Sequence, residues 1–199
     1  LAEFDGKDKT ESDKKCKDLM EELKKGDKAP NMSLFDDPEQ EQKLWEIRES
    51  GLGATAFVPS LPDMWTGWED SAVPPDKVGD YLKDLRDLYN KYGYKASLYG
   101  HFGQGCIHCR VSFDLITEDG IETYKKFTEE ASHLVVRYGG SLSGEHGDGQ
   151  SRGSLLEIMY GEEIMQAFHE FKSIWDPEWL MNPGKVIESY GQLADLRLG

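Results

Sequence analysis

The apolar positions of this chain follow two periods, one helical and one of alternating residues. Within 76–92, apolar residues such as Leu82, Leu85 and Tyr89 recur every three or four positions, which predicts an amphipathic helix. Similar patterns predict four further helices: one that carries Cys16, Leu19 and Leu23, one over 40–50, one capped by Asp119, and a last one that ends at Asp176.

The alternating period predicts a β-hairpin, because two alternating runs between 96 and 115 flank a glycine-rich turn. In the second run Ile107 and Cys109 face one side, whereas His108 and Arg110 face the other. Further strands are expected at 1–5, 31–35 and 54–58, and 60–75 is expected to be a long loop of the kind that often carries function. Elements in this order predict an α+β fold, with helices packed on one face of an antiparallel sheet.

Composition and charge narrow the classes of function. The 199 residues carry 38 acidic and 23 basic side chains, a formal charge of −15, which argues against a nucleic-acid partner. No apolar run approaches the roughly 18 residues of a transmembrane segment, and no secretory signal is recognised at the start. Three cysteines, an odd number, are typical of a reducing compartment and predict a cytoplasmic protein. Because the first residue is Leu1, we consider an excised fragment or a processed chain.

His101 and His108 stand at the two ends of the predicted hairpin turn. Across a tight turn both imidazoles can point to the polar face of the sheet, which suits a divalent metal. Glu145 offers a third, carboxylate ligand and leaves a coordination position open for a substrate. The alternative interpretation is a pair of hydrogen-bonded surface histidines.

His146 directly follows Glu145 within the glycine-rich segment 143–149. Neighbouring side chains of an extended segment diverge, so one can hold a metal while the other faces the reacting atom. An imidazole titrates near neutrality, as a general base requires. An ordinary glycine-rich turn is the alternative, whereas a phosphate-binding loop is disfavoured because the segment lacks the Gly-Lys-Ser/Thr ending.

Arg48 and Arg110 are the candidates for binding a substrate carboxylate through two parallel hydrogen bonds. Arg110 shares the polar face with His108, and a surface salt bridge is the alternative for either arginine. Cys106 and Cys109 form a C-x-x-C motif. Residues three apart on a strand point to opposite faces, so this motif does not favour a redox pair or a zinc site.

At these motifs the sequence resembles the FAD-linked oxidase C-terminal family, the cap domain of D-lactate, D-2-hydroxyglutarate and glycolate dehydrogenases. The matching segments, in family order, are LWEIRES (44–50), GHFGQGCIH (100–108), SGEHGDG (143–149) and DPEWLMNPGKV (176–186). GLGATAFVP and GWEDSAVPP are most similar to a bacterial branch fused to an iron–sulfur region. The resemblance implies a ferredoxin-like cap domain over 1–199, with the FAD-binding domain outside this chain.

The resemblance also implies a role for each candidate residue. The ligands of a divalent metal, zinc or manganese, would be His101, His108 and Glu145. His146 would be the base near the α-carbon of the substrate, and Arg48 would bind the substrate carboxylate. Asn182 lies in the segment that approaches the flavin, and an iron–sulfur cluster is expected elsewhere in the full-length protein.

Four positions depart from the family pattern. Gln104 and Cys106 stand where many members have Asp and Asn, and Arg110 stands where the hydroxyglutarate enzymes have an asparagine that helps hold the substrate. Trp68 replaces a substrate-binding lysine. These differences concern the identity of the hydroxyacid, whereas the metal and base positions match the family.

The predicted function is the oxidation of a D-2-hydroxyacid to the 2-oxoacid by metal-assisted hydride transfer to FAD. The expected partners are the small-molecule hydroxyacid and the protein's own FAD-binding domain, and the isolated fragment is expected to be inactive. Two other classes of function are also compatible with these residues. One is a metal-dependent hydrolase that uses His101, His108 and Glu145, and the other is a non-catalytic ligand-binding or assembly module.

Overall fold

A computed structural model of the chain describes residues 1–196, without the side chains of Leu52 and Ala54. The chain divides into two compact units, Leu1–Ser50 and Gly51–Gly199. The candidate histidines and Glu145 all belong to the second unit, and Arg48 belongs to the first.

The first unit contains two helices, α1 (Lys9–Leu23) and α2 (Pro38–Glu49), both predicted from the helical period. Each begins after an aspartate, Asp8 or Asp37, whose carboxylate accepts a hydrogen bond from a backbone amide of the first turn. The strands predicted at 1–5 and 31–35 are wrong, because both segments are coil. Alternation alone does not make a strand, since its backbone N–H and C=O groups need a neighbouring strand.

The second unit opens with a short helix, α3 (Gly51–Ala56), where a strand was expected at 54–58. That prediction is wrong because a short apolar run is ambiguous between strand and helix. Here local bonds favour the helix: Thr55 Oγ1 donates to the carbonyl oxygen of Gly51 at 2.8 Å, and the amide of Phe57 donates to Gly53.

A three-stranded antiparallel sheet forms the centre of this unit. Its strands are β1 (Ser71–Ala72), β2 (Ala96–His101) and β3 (Cys106–Val111), in the order β1-β3-β2. The predicted hairpin is β2 and β3, which pair from Ala96↔Val111 to His101↔Cys106. On the other side of β1, Ala72 pairs with Ser141 in an isolated bridge. This is the strand order of a split βαβ unit, and it confirms the α+β prediction.

The rest of the second unit contains the predicted helices α4 (Val78–Lys91), α5 (Glu118–Arg137) and α7 (Leu156–Trp175). A short helix, α6 (Gly149–Gly153), lies where a glycine-rich loop was expected. Single 3₁₀ turns lie at 75–77 and 102–104. Thr117, not Asp119, caps α5, because its hydroxyl accepts the amide hydrogen of Gly120. Among the described helices, none is both long and apolar enough to span a membrane.

The hydrophobic core lies between the sheet and the two helices α4 and α5. Their fully buried side chains include Ile107, Cys109 and Val111 of β3, Tyr81 and Leu85 of α4, and Phe127 and Val135 of α5. The opposite face of β3 carries His108 and Arg110, which are also buried, because residues of the 60–75 and 143–152 segments cover them. The predicted alternation of β3 is therefore confirmed, and its polar face lies at the candidate site.

The long segment 60–75 is packed against the domain. Trp68 is completely buried, with its ring edge-on to Phe127 at 6.5 Å and beneath the Arg152 guanidinium at 5.0 Å. Trp65 exchanges backbone hydrogen bonds with Val111 at 2.7 and 2.9 Å. These anchors fix the residues that follow Trp68 beside the polar face of β3.

Candidate metal and substrate site

The end of β2, the start of β3 and the 143–149 loop bring three predicted ligands together. Glu145 Oε1 lies 3.1 Å from His108 Nε2 and 3.4 Å from His101 Nε2. The two imidazole rings meet edge-on, with centroids 5.5 Å apart. One oxygen of Glu145 thus lies next to a nitrogen of each histidine, and these residue types suit zinc or manganese. Among the described residues, the groups whose possible ligand atoms all lie within 4.8 Å of one another are Asp70, Cys106, His108 and Glu145, and Glu69, His108 and His146. Both groups contain His108, and neither contains His101.

His108 is the buried member of this set. Its side chain is 5% exposed, whereas those of His101 and Glu145 are 38% and 49% exposed. Its second ring nitrogen, Nδ1, is buried, has no hydrogen-bond partner among residues 1–196, and lies 3.8 Å from Asp70 Oδ1. A buried ring with Nε2 on the ligand side and Nδ1 facing a carboxylate is the arrangement of a metal-binding histidine. These residues therefore fit a divalent metal, and their role as ligands stays a prediction.

Asp70, which the sequence did not identify, holds the loop that carries Glu145 and His146. One carboxylate oxygen, Oδ2, accepts from the Ser143 hydroxyl at 2.6 Å and from the amides of Glu145 and His146 at 3.0 and 2.8 Å. The other, Oδ1, accepts from the Cys106 thiol at 3.3 Å. Burial raises the pKa of Asp70, but these hydrogen bonds outweigh it and lower the pKa to about 2.

His146 lies beside the predicted ligands with its ring half-exposed. The ring is parallel to that of His108, 4.9 Å away and inclined by 4°. His146 Nδ1 is 3.2 Å from Glu69 Oε1, and its Nε2 is 3.7 Å from Glu145 Oε1. Glu69 thus faces one nitrogen of the predicted base, and Glu145, a predicted metal ligand, faces the other.

Arg110 lies on the polar face of β3, as predicted, and is paired with Glu69. Its Nη1 donates to Glu69 Oε2 at 3.0 Å and to the Cys109 carbonyl at 3.2 Å. Its side chain is 10% exposed. Glu69 therefore bridges Arg110 and His146, and the predicted contact of Arg110 with a substrate carboxylate stays a prediction.

A cavity of about 130 Å³ opens beside His146, between the 66–70 segment and α6. Arg152, buried at its wall, donates to the carbonyl oxygens of Gly67 and Glu69 at 3.0 and 2.9 Å. Burial lowers the pKa of Arg152. Both hydrogen bonds go to backbone carbonyl oxygens, so Arg152 fixes the position of the segment that carries Glu69 and Asp70.

Comparison with known proteins identifies the family to which this chain belongs. The family described as FAD linked oxidases, C-terminal domain, matches residues 1–186. The chain belongs to this family. The resemblance inferred from the sequence motifs is thereby confirmed.

Curated relatives of this FAD-linked oxidase domain are longer proteins. A D-2-hydroxyglutarate dehydrogenase of Haemophilus influenzae is 26% identical over 94% of this chain and 18% of its own length. The glycolate oxidase subunit GlcD of Bacillus subtilis is 30% identical over 82% of this chain and 34% of its own length. A D-lactate dehydrogenase of Archaeoglobus fulgidus is 35% identical over 59% of this chain and 26% of its own length. The chain therefore covers 18–34% of these relatives.

Arg48, Asn182 and the two cysteines of the C-x-x-C motif are the other residues that the sequence singled out in this FAD-linked oxidase domain. Arg48 lies in the last turn of α2, and its predicted role stays a prediction. Asn182 follows α7 with a left-handed φ of 49°, and its approach to a flavin also stays a prediction. Cys109 faces the core and Cys106 faces Asp70, so the two thiols diverge as expected.

Residue spacing did not identify Glu69, Asp70 or Arg152 as parts of the site. The available signal was the long loop 60–75, whose tryptophans indicated that it packs against the fold. Nothing in residue spacing indicates that Asp70 meets His146, because the two lie 76 positions apart.

Proposed function

We propose that this chain is the substrate- and metal-binding domain of a longer FAD-dependent enzyme that oxidises a D-2-hydroxyacid to the 2-oxoacid. Family membership and the names of the relatives support this class of reaction. The observation that carries the proposal is that one oxygen of Glu145 lies 3.4 Å from His101 Nε2 and 3.1 Å from His108 Nε2, with the His146 ring stacked against His108. The FAD-binding domain lies outside 1–199 in this proposal.

The proposed residues divide the work between binding and proton transfer. When bound, FAD accepts a hydride and a divalent zinc or manganese ion polarises the 2-hydroxyl of the substrate. His101, His108 and Glu145 would hold that ion, and His146 would accept the proton of the 2-hydroxyl when the α-carbon is oxidised. The products are the 2-oxoacid, reduced flavin and a protonated His146.

The surroundings of His146 suit a proton acceptor. If Nδ1 carries its hydrogen and donates it to Glu69, then Nε2 carries the lone pair. This Nε2 points to the Glu145 side of the site, where the substrate hydroxyl would lie. The half-exposed ring is also accessible to a substrate from the adjoining cavity.

The substrate carboxylate requires a cation. Arg48 and Arg110 are the proposed partners, the first by its match to the family motif and the second by its place next to His108 on β3. Because Arg110 already pairs with Glu69, a substrate carboxylate at this position would share the guanidinium with Glu69.

An exposed apolar surface supports the attachment of a second domain. Along the second half of α7 and the segment after it, large apolar side chains face solvent: Phe171, Ile174, Trp175, Leu180 and Met181, with Leu180 77% exposed. Several large exposed apolar side chains close together along the chain are typical of a protein–protein contact. We assign it to the FAD-binding domain, because Asn182 directly follows Leu180 and Met181. An iron–sulfur cluster in the full-length protein stays a prediction.

The test is flavin reduction in the full-length flavoprotein under anaerobic conditions, with a series of D-2-hydroxyacids. We expect the visible flavin absorbance to bleach in the wild type and the rate to fall by about 100-fold or more in His146→Ala. His133→Ala, an exposed histidine on α5, is the matched control and should bleach at the wild-type rate. A protein without flavin absorbance, or equal bleaching in His146→Ala, would contradict the proposal. Ester hydrolysis that requires metal and no flavin would instead favour a hydrolase.

A further inference from the structure

We propose that Asp70 is a positioning residue of this site, whose buried carboxylate orients both the His108 ring and the loop that presents Glu145 and His146. The inference rests on the proposed function, since it concerns the same metal and base residues. Asp70 does not itself contact the substrate in this proposal. It acts through the residues that do.

The Oδ2 atom of Asp70 fixes the loop. It accepts three hydrogen bonds, from the Ser143 hydroxyl and from the amides of Glu145 and His146. The carbonyl oxygen of Asp70 also accepts the Gly144 amide at 2.7 Å. Four consecutive loop residues are thus bound to one aspartate, so the directions of the Glu145 and His146 side chains depend on it.

The Oδ1 atom of Asp70 faces the buried side of His108. It lies 3.8 Å from His108 Nδ1, which has no hydrogen-bond partner among the described residues. A carboxylate behind a metal-binding imidazole accepts the ring N–H, which leaves the opposite nitrogen free for the metal. In His108 that opposite nitrogen is Nε2, the atom 3.1 Å from Glu145. At 3.8 Å the two atoms are beyond hydrogen-bond distance, but the negative charge of the carboxylate favours a hydrogen on Nδ1 and the lone pair on Nε2. We therefore propose that Asp70 favours the tautomer that binds the metal.

The backbone of Asp70 is held in a conformation that side-chain-bearing residues rarely adopt. Its φ is +69°, and its amide donates to the Ile107 carbonyl at 2.9 Å. A left-handed aspartate within a packed segment has an energetic cost that the surrounding structure must offset. Neighbours on both sides, β3 and the 143–146 loop, impose this conformation and keep the carboxylate between His108 and the loop.

The test measures metal affinity of the full 199-residue chain, because the three predicted ligands all lie within it. We expect Asp70→Asn to bind Mn²⁺ and Zn²⁺ about 10- to 100-fold more weakly than the wild type in calorimetric titrations. Asparagine keeps the size of aspartate but has one acceptor oxygen. Either the loop donors or the His108 N–H then faces an NH₂ group.

Asp114→Asn is the matched control. Asp114 has nearly the same hydrogen-bond set, two backbone amides and one hydroxyl, but these belong to Ile116 and Thr117 at the start of α5. If Asp70 merely stabilises the fold, both variants should lower the melting temperature and neither should change metal affinity. A selective loss of affinity in Asp70→Asn supports positioning.

Ser143→Ala keeps the inference testable if Asp70→Asn does not fold. It removes one hydrogen bond to Oδ2 and retains the carboxylate, so we expect metal affinity to fall by about threefold to tenfold. If the wild type binds metal and every folded variant binds it equally well, the role of Asp70 is wrong and the metal site stands. If the wild-type chain binds neither ion, the metal assignment fails, and the role of Asp70 fails with it.

Discussion

His146 and Glu69 are joined by a contact of 3.2 Å between Nδ1 and Oε1, and the second oxygen of Glu69 accepts a hydrogen bond from Arg110. The ring of the proposed base is therefore oriented by a carboxylate that is itself held in place. Glu69→Gln should lower the rate of flavin reduction in the full-length protein by about 10- to 100-fold, because an amide holds the ring and its tautomer less well. Stopped-flow reduction at saturating substrate measures this rate.

The effect of Glu69→Gln should fall on the maximal rate more than on the apparent affinity for substrate. Glu122→Gln is the control, since Glu122 is an exposed carboxylate on α5 paired with Lys126. A Glu69→Gln protein that reduces flavin at the wild-type rate would show that this contact does not position the base.

Glu145 provides a direct test of the metal site. Glu145→Gln should weaken Mn²⁺ and Zn²⁺ binding by at least about 100-fold. A residue that binds the metal directly contributes more to metal affinity than a residue that only orients a ligand. Since the side chain is half-exposed, the melting temperature without metal should change little. Glu188→Gln is the matched control: Glu188 is also an exposed glutamate beside a histidine, His169, at 3.0 Å. Equal metal affinity in both variants would remove Glu145 from the ligand set.

The hairpin turn depends on Gly105. Its φ is +82°, and a Cβ added there would lie 1.9 Å from the carbonyl oxygen of Val73. Gly105→Ala should therefore lower the free energy of unfolding by about 2 kcal/mol or more. Gly103→Ala, two residues earlier, meets no atom within 4 Å and should change stability much less. Urea denaturation measures both, and equal midpoints would contradict this account of the turn.

Burial makes Cys109 unreactive in the folded protein. It raises the pKa of Cys109 to about 12, so only about one thiol in ten thousand is ionised at pH 8. Iodoacetamide should modify Cys16, which is partly exposed on α1, well before Cys109. Mass spectrometry of the alkylated peptides measures the order, and both sites should react at similar rates in urea. Early modification of Cys109 would contradict its place in the core.

Asp176 should make stability depend on pH in the acid range. A hydrogen bond from Lys172 and the amides of Met181 and Leu180 lower the pKa of Asp176 despite its burial. Because the folded pKa lies below the usual value, the stabilisation is complete at neutral pH and is lost as the pH falls through the folded pKa. Asp176→Asn should therefore lower the melting temperature at pH 7, and the difference from wild type should shrink toward pH 3.

Asp87→Asn, an exposed aspartate on α4, is the control for Asp176→Asn. Its melting temperature should follow the wild type throughout. A difference for Asp176→Asn that stays constant from pH 7 to pH 3 would show that the carboxylate charge is not responsible.

Local pattern was sufficient for several parts of this protein. The helical period predicted α4 and α5, and alternation around a glycine-rich turn predicted β2 and β3 and the two faces of β3. The turn itself placed His101 and His108 near each other, because both residues flank it. These features depend on neighbours a few positions apart, so residue spacing can show them.

The same patterns failed where a neighbour was required. The segments 1–5 and 31–35 alternate like strands, but both are coil. A strand was also expected at 54–58, where the chain instead forms the end of α3. In contrast, β1 lies within a segment predicted to be loop, because its two residues pair with β3. Strand formation is decided by the partner's hydrogen bonds, which the segment's own residues do not encode.

The sequence by itself determined the family, the α+β class and the ligand and base candidates, through motifs that are contiguous in the chain. Tertiary structure alone decided which residues hold those candidates: Asp70 behind His108 and Glu69 beside His146. The carboxylate of Asp70 is stable in the interior because donors from residues 36 to 76 positions away converge on it. These contacts exist only in the folded chain, and the periodic pattern of residues along the sequence does not predict them.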